Sequence, residues 1–259
     1  MVAELVISGY LLTKDHQKVH YDHYQAGHKE VVVIAHGFFN SKQALLLKEL
    51  GEALQDDYDV ILFDFRGHGK SNGLFYWSAR EYQDLLAVLE YAHQTYDKIG
   101  VIGFSLGGTT SLITASKTDR IDSLVCVSAP SEFEKVDYHF WELDAENDLL
   151  YTLIKDGRVG KGVRPGPFWD KKIKPIDIVG QLDLPILYIH GDDDWVVKPW
   201  HSEKLFEKTG GPKDLLIIKN GPHAEYLVRK HKKELVQAVK SWFGRTLREK
   251  KPKQISKKF

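Results

Sequence analysis

Short apolar runs alternate with longer amphipathic stretches along most of this chain. Glu4 to Leu12 and Lys18 to Gln25 read as two half-buried strands of an N-terminal hairpin. Val31 to Ala35 is a continuous β-branched run, the pattern of a strand covered on both faces. Lys42 to Leu54 reads as a helix, because Leu45, Leu46, Leu50 and Leu54 recur at helical spacing. Val60 to Phe65 predicts the next strand, Ala79 to Tyr96 the next helix, and Ile99 to Phe104 another buried strand. A helix-compatible run follows from Thr109 to Lys117. Ser123 to Val127, Pro185 to His190 and Leu215 to Lys219 read as further strands, and a helix from about Glu225 to Leu247 closes the pattern.

Buried strands separated by helices predict an α/β fold: a mainly parallel, eight-stranded sheet flanked by helices. One segment breaks the rhythm. Between Ala129 and Pro185 about fifty residues pass without a buried strand, carrying Phe133, Tyr138, Phe140, Trp141, Tyr151, Phe168 and Trp169 among many charges. An insertion of this length in a compact domain reads as a lid or binding loop, assigned to residues 131–180 after the sixth strand.

Composition narrows the class. A length of 259 residues suits one domain of the larger α/β kind, 1–259, and 42% hydrophobic residues can fill a sizeable core. The 36 basic and 36 acidic residues cancel, so no nucleic-acid or polyanion partner is expected. The Lys-rich tail from Arg245 to Phe259 reads as a solvated terminus. The single cysteine, Cys126, excludes an internal disulfide and lies in an apolar run, as an inert core thiol would. Met1 to Glu4 starts no signal-peptide pattern, and no apolar run approaches membrane-spanning length. The expectation is a cytoplasmic monomer or homodimer with no stable membrane association.

The chemistry concentrates at Gly103-Phe104-Ser105-Leu106-Gly107, which fits G-x-S-x-G. In such an elbow a strand turns into a helix so sharply that the serine is strained and its hydroxyl faces out. The flanking glycines let strand and helix approach. A serine needs a base, and the base needs an orienting acid. Of the twelve histidines, His223 lies just past the last strand, where its side chain could reach over the sheet edge on which Ser105 emerges. The acid should fall between the two in chain order. The run Asp192-Asp193-Asp194 follows the Pro185 strand at that same edge.

With these residues together the chain resembles the α/β-hydrolase superfamily over nearly its whole length, in its serine carboxylesterase, acylglycerol lipase and serine aminopeptidase-like branch. The resemblance implies an acid in a G-x-x-D-x-x-V pattern, which Gly191, Asp194 and Val197 match, so Asp194 is the expected acid. It also implies an oxyanion hole built from backbone N–H groups. Leu106 follows the nucleophile, and Phe38 lies in His36-Gly37-Phe38, similar to the family's H-G-x turn. Phe140, Trp141 and Trp169 of the insertion are the expected substrate contacts.

Other motifs read as scaffold. Gly69-Lys70-Ser71 fails as a phosphate loop because Asp64 stands where that motif needs glycine. The stretch Asp64 to Ser71 instead resembles the family's D-x-R-G-x-G-x-S turn, which makes Arg66 and His68 structural, and His36 and His190 end strands. His16, His20, His23 and His28 crowd the hairpin and read as solvated positions rather than metal ligands. Trp77 could line either core or pocket.

Ser105 argues against the dehalogenase and epoxide hydrolase relatives, which use an aspartate. The expected reaction is hydrolysis of small-molecule carboxylic esters, short- to medium-chain or aryl, through an acyl-enzyme and without metal or organic cofactor. Open alternatives are a thioesterase or perhydrolase, a non-catalytic relative binding partners through the lid, and an aminopeptidase or prolyl-type peptidase. The acids Glu132, Glu134, Asp137, Glu142, Asp144, Glu146 and Asp148 keep the peptidase alternative open.

Overall fold

Eight strands form one sheet in the order β1-β2-β4-β3-β5-β6-β7-β8. In chain order these are β1 (Leu5–Leu12), β2 (Lys18–Gln25), β3 (Glu30–Ala35), β4 (Asp59–Phe63), β5 (Lys98–Phe104), β6 (Ser123–Val127), β7 (Ile186–Gly191) and β8 (Lys213–Ile218). The computed structural model of the chain describes residues 5–136 and 163–248. From β4 to β8 every neighbouring pair is parallel, while β1 and β2 join antiparallel at one edge. The helices are α1 (Leu45–Leu54), α2 (Tyr82–His93), α3 (Leu106–Ala115), α4 (Pro175–Ile178), α5 (Trp200–Lys208) and α6 (Tyr226–Phe243). The elements expected from the sequence are present with their bounds shifted by a few residues, α3 starting three residues early, and α4 and α5 are additions.

The apolar runs are continuous because both faces of the sheet are covered. Val32, Ile34, Ile102, Val125 and Ile189 pack toward α1 and α6 on one face. Their neighbours Val31, Val33, Val101, Leu124 and Tyr188 pack toward α2 and α5 on the other. Cys126 is fully buried, and burial pushes its thiol far above the usual range, which suits an inert core position.

The hairpin corrects one expectation. β1 takes the sheet edge, so β2 pairs with β4 and becomes interior. His20 and His23 are therefore buried rather than solvated, while His16 is exposed and His28 partly so. His23 bridges the hydroxyls of Tyr91 and Tyr96 at 3.0 and 2.8 Å, and Tyr96 donates to Asp59 at 2.5 Å. Among the described residues no three His, Cys, Asp or Glu side chains gather as a metal site would require. No helix among them is long and apolar enough to cross a membrane.

The chain moves outward from β3 to β4, then returns to the opposite side of β3 with β5. That reversal opens a crevice at the carboxyl ends of β3 and β5, where open α/β sheets bind ligands. Phe38 follows β3 and Ser105 follows β5. The described ends of the insertion frame this edge: Pro165 bridges Phe75, and Arg80 pairs with Asp170.

Candidate active site

Ser105 sits between β5 and α3 with φ 49° and ψ −115°, conformations that a side chain bearing a Cβ adopts only under constraint. The constraint is close packing. A Cβ on Gly103 would lie 2.6 Å from the Gly107 carbonyl oxygen, and one on Gly107 would lie 2.3 Å from that of Ala35. Both positions flanking the serine are thus glycine because backbone occupies the space. The Ser105 amide donates to Val127 at 2.8 Å, anchoring the elbow to the end of β6.

The expected base and acid, His223 and Asp194, arrive from two other strand ends. His223 Nδ1 lies 2.8 Å from Asp194 Oδ2, and its Nε2 lies 3.0 Å from Ser105 Oγ. An ionised carboxylate only accepts, so the Nδ1 proton points to Asp194 and Nε2 is left to accept the serine hydroxyl. Asp194 is fully buried. Burial alone would raise its carboxyl, but the His223 charge and hydrogen bonds from His190 and His223 outweigh it. The carboxyl is held well below the usual range. Its Oδ1 accepts the amides of Val196 and Val197 at 2.9 and 2.8 Å. Asp192 and Asp193, by contrast, are exposed.

Phe38 and Leu106 line the same crevice as Ser105. Leu106 opens α3, where the first amides have no intrahelical acceptor and the helix dipole favours negative charge. Neither the Phe38 nor the Leu106 amide donates to an acceptor among the described residues. The turn carrying Phe38 is braced by His36, whose Nδ1–H donates to Gly37 at 2.7 Å while Nε2 accepts the Phe65 amide at 3.0 Å. Complete burial pushes this imidazole down to about 4, so it stays neutral.

The crevice encloses about 990 Å³ counting its open mouth, and its walls are largely apolar. Phe38 stacks on Phe75 at 5.2 Å and abuts Trp77 at 5.1 Å. Trp77 therefore belongs to the pocket, joined by Phe133, Trp195 and Tyr226. Trp169 does not: it is 74% exposed, packs against Phe168, and is absent from these walls. Phe140 and Trp141 lie outside the described residues, as do Asp137, Glu142, Asp144, Glu146 and Asp148. Glu132 and Glu134 pair with Lys135, Lys204 and Lys174.

Several pocket residues were not anticipated. Glu225, two positions after His223, is buried in the wall, and its carboxylate accepts from the Asn40 amide group. That contact ties the turn after β3 to the loop after β8. Trp195, Val196 and Val197 follow Asp194 directly, so their proximity to the acid was the available signal. Arg66 and His68 stay behind the site: Arg66 is buried against Asp84 and Asp15, and His68 against Phe75 and His36.

Ser105, His223 and Asp194 thus stand together at the switch point of this eight-stranded sheet. The chain has the α/β-hydrolase fold. Residues 30–151 match the family described by that fold. The Bacillus subtilis protein YqkD is 28% identical over 77% of the chain and 67% of its own length. The Escherichia coli protein YfhR is 26% identical over 68% of the chain, which spans only 56% of that protein's length. The Pyrococcus furiosus esterase Pf2001 superposes with a TM-score of 0.76 at 23% identity, over 95% of this α/β-hydrolase chain and 92% of the esterase.

Proposed function

We propose that this α/β-hydrolase cleaves carboxylic esters of short- to medium-chain or aryl type through an acyl-enzyme on Ser105. The observation that carries the proposal is the relay Ser105–His223–Asp194, at 3.0 and 2.8 Å, beside the Phe38 and Leu106 amides, which donate to no acceptor among the described residues. His223 Nε2 takes the Ser105 proton as Oγ adds to the ester carbonyl. The carbonyl oxygen becomes an oxyanion received by the Phe38 and Leu106 N–H groups. The C–O bond to the alcohol then breaks, and His223 returns the proton to the leaving alkoxide. Water, deprotonated by the same imidazole, attacks the acyl-enzyme, and breakdown releases the acid and restores the Ser105 hydroxyl. Asp194 keeps the tautomer that this sequence needs.

The apolar aromatic walls favour an acyl or alcohol group without charge. Likeness to an esterase of the same fold supports the ester reading. The test is hydrolysis of p-nitrophenyl butyrate and an aryl acetate by the wild type and by Ser105→Ala, with a fluorophosphonate probe mapped by mass spectrometry. Expected are ester turnover and a single adduct at Ser105, both lost in the alanine variant. Equal turnover in the two proteins would overturn the assignment. Faster cleavage of aminoacyl amides than of esters with matched leaving groups would move the reaction to peptide bonds.

A further inference from the structure

Asp194 is held by more than one imidazole. His190 Nε2 lies 3.2 Å from Asp194 Oδ2, the same oxygen that accepts from His223, and 2.6 Å from the Val197 carbonyl oxygen. Both neighbours of that nitrogen only accept, so Nε2 carries a proton shared between them. The other ring nitrogen, Nδ1, meets the Ser202 hydroxyl of α5 at 2.6 Å. His190, Asp194 and Ser202 are all fully buried. Counting the two amides on Oδ1, each oxygen of Asp194 has two donors, which exhausts the usual capacity of a carboxylate.

We propose that His190 is a positioning residue for the acid, a role that rests on reading Ser105, His223 and Asp194 as the catalytic relay. It sits at the end of β7, and Asp194 lies four residues on. Its Nε2–H therefore fastens both Asp194 and Val197 back to the rigid strand and closes the intervening loop. With that donor present, Oδ2 stays aimed at His223 Nδ1 and shares its negative charge between two imidazoles. Without it, the carboxylate answers to His223 alone on that oxygen, draws the His223 proton more strongly and is freer to turn about its bond to Cβ. The charged and titratable groups around the ring are few. Among the described residues, Asp194 faces it from its own loop, His223 stands across the shared oxygen, and His201 of α5 lies nearby.

The experiment compares His190→Leu, His190→Gln, Ser202→Ala and Asp194→Asn in the full chain. It reads kcat and KM for p-nitrophenyl butyrate, the pH profile of kcat/KM, and Tm. His190→Leu is expected to lower kcat about 10- to 100-fold, the scale seen for groups that orient a ligand from one shell out. KM should stay within about threefold, and the acid limb should move to higher pH. His190→Gln keeps an N–H near the place of Nε2 and should recover most of the lost kcat. Ser202→Ala removes only the Nδ1 partner, so it should lower Tm while leaving kcat and the acid limb in place. A purely structural role predicts the opposite: Tm falls in every variant and neither kcat nor the limb moves, which overturns the proposal. Should His190→Leu not fold, His190→Gln against the shorter His190→Asn decides, and equal kcat in those two also overturns it. Asp194→Asn separates the levels. Full activity in that variant sinks the relay itself, whereas a severe loss beside a silent His190→Leu sinks only the positioning role.

Discussion

The Ser128 hydroxyl accepts a hydrogen bond from the Ala224 amide at 3.1 Å, joining two residues that both hold left-handed backbone, with φ of 50° and 45°. Ser128 directly follows β6 and its own amide donates to Ile189 of β7, while Ala224 directly follows His223. The bond therefore ties the histidine loop to the two strands that flank the elbow and the acid. Non-glycine residues in this region cost roughly 1–3 kcal/mol each and persist only where the surroundings over-determine them. Ser105, with φ 49°, is a third such residue at the same sheet edge.

Replacing Ser128 by alanine leaves the buried Ala224 N–H without its acceptor. The expected cost is about 1–3 kcal/mol of stability, read by urea unfolding, with kcat lower by roughly tenfold as His223 loses an anchor. Ala224→Gly retains the N–H and relieves the strain, so it should keep wild-type kcat and lose no more than about 1 kcal/mol. If Ser128→Ala matched the wild type in both measurements, the bond would have no part in holding His223.

The neighbouring aspartates give a sharper contrast. Asp194 is fully buried and saturated with donors, whereas Asp193 is exposed. Asp194→Asn is expected to reduce kcat by about 10³–10⁴-fold, because an amide cannot hold the His223 tautomer that accepts the serine proton. Asp193→Asn should stay within about threefold. Steady-state kinetics on one ester substrate checks both, and the reverse ranking would reassign the acid.

Glycine at the elbow is required by space. A Cβ on Gly107 would lie 2.3 Å from the Ala35 carbonyl oxygen, so Gly107→Ala should cost more than about 3 kcal/mol or prevent folding. A Cβ on Gly37 would meet nothing closer than 3.4 Å, with Ser105 Cβ at 3.5 Å. Gly37→Ala is expected to fold with a Tm near that of the wild type and to lower kcat/KM, since the added methyl stands beside Ser105. Thermal melts and ester kinetics on the pair separate the two outcomes.

Much of this was legible because the informative residues sit at ends of apolar strands. Ser105 and Asp194 each follow a run whose continuity reports burial on both faces, His223 follows the partly exposed edge strand β8, and parallel strands deliver all three to one edge. Polar residues carried less. His23 reads as a solvated hairpin position until Tyr91 and Tyr96, about seventy residues away, are seen to occupy both its nitrogens. Lys42 is buried against Asp22 for the same kind of long-range reason. The helix α5 escaped notice because it is short, polar and preceded by Pro199. Trp169 was expected at the substrate on aromatic character alone, which does not say which way an irregular segment faces.

The pH dependence of stability should expose His36. Its imidazole is fully buried, and its pKa of about 4 in the folded protein compares with 6.5 when unperturbed. Between those values the unfolded chain binds a proton that the folded one refuses, so stability must fall as pH drops from about 6.5 toward 4. The contribution of this one residue is on the order of 2–3 kcal/mol at the acid end of that window. Protonation would also remove the acceptor for the Phe65 amide, and with it a brace of the turn that presents the Phe38 N–H. His68, pushed down to about 3 by burial and then by His36 beside it, adds to the same slope. Urea unfolding from pH 7 to pH 4 in the wild type and His36→Leu tests this. The variant should be weaker at pH 7, because the Phe65 amide is orphaned, yet lose less stability on acidification. Parallel slopes in the two proteins would mean that His36 is not among the groups that drive acid unfolding.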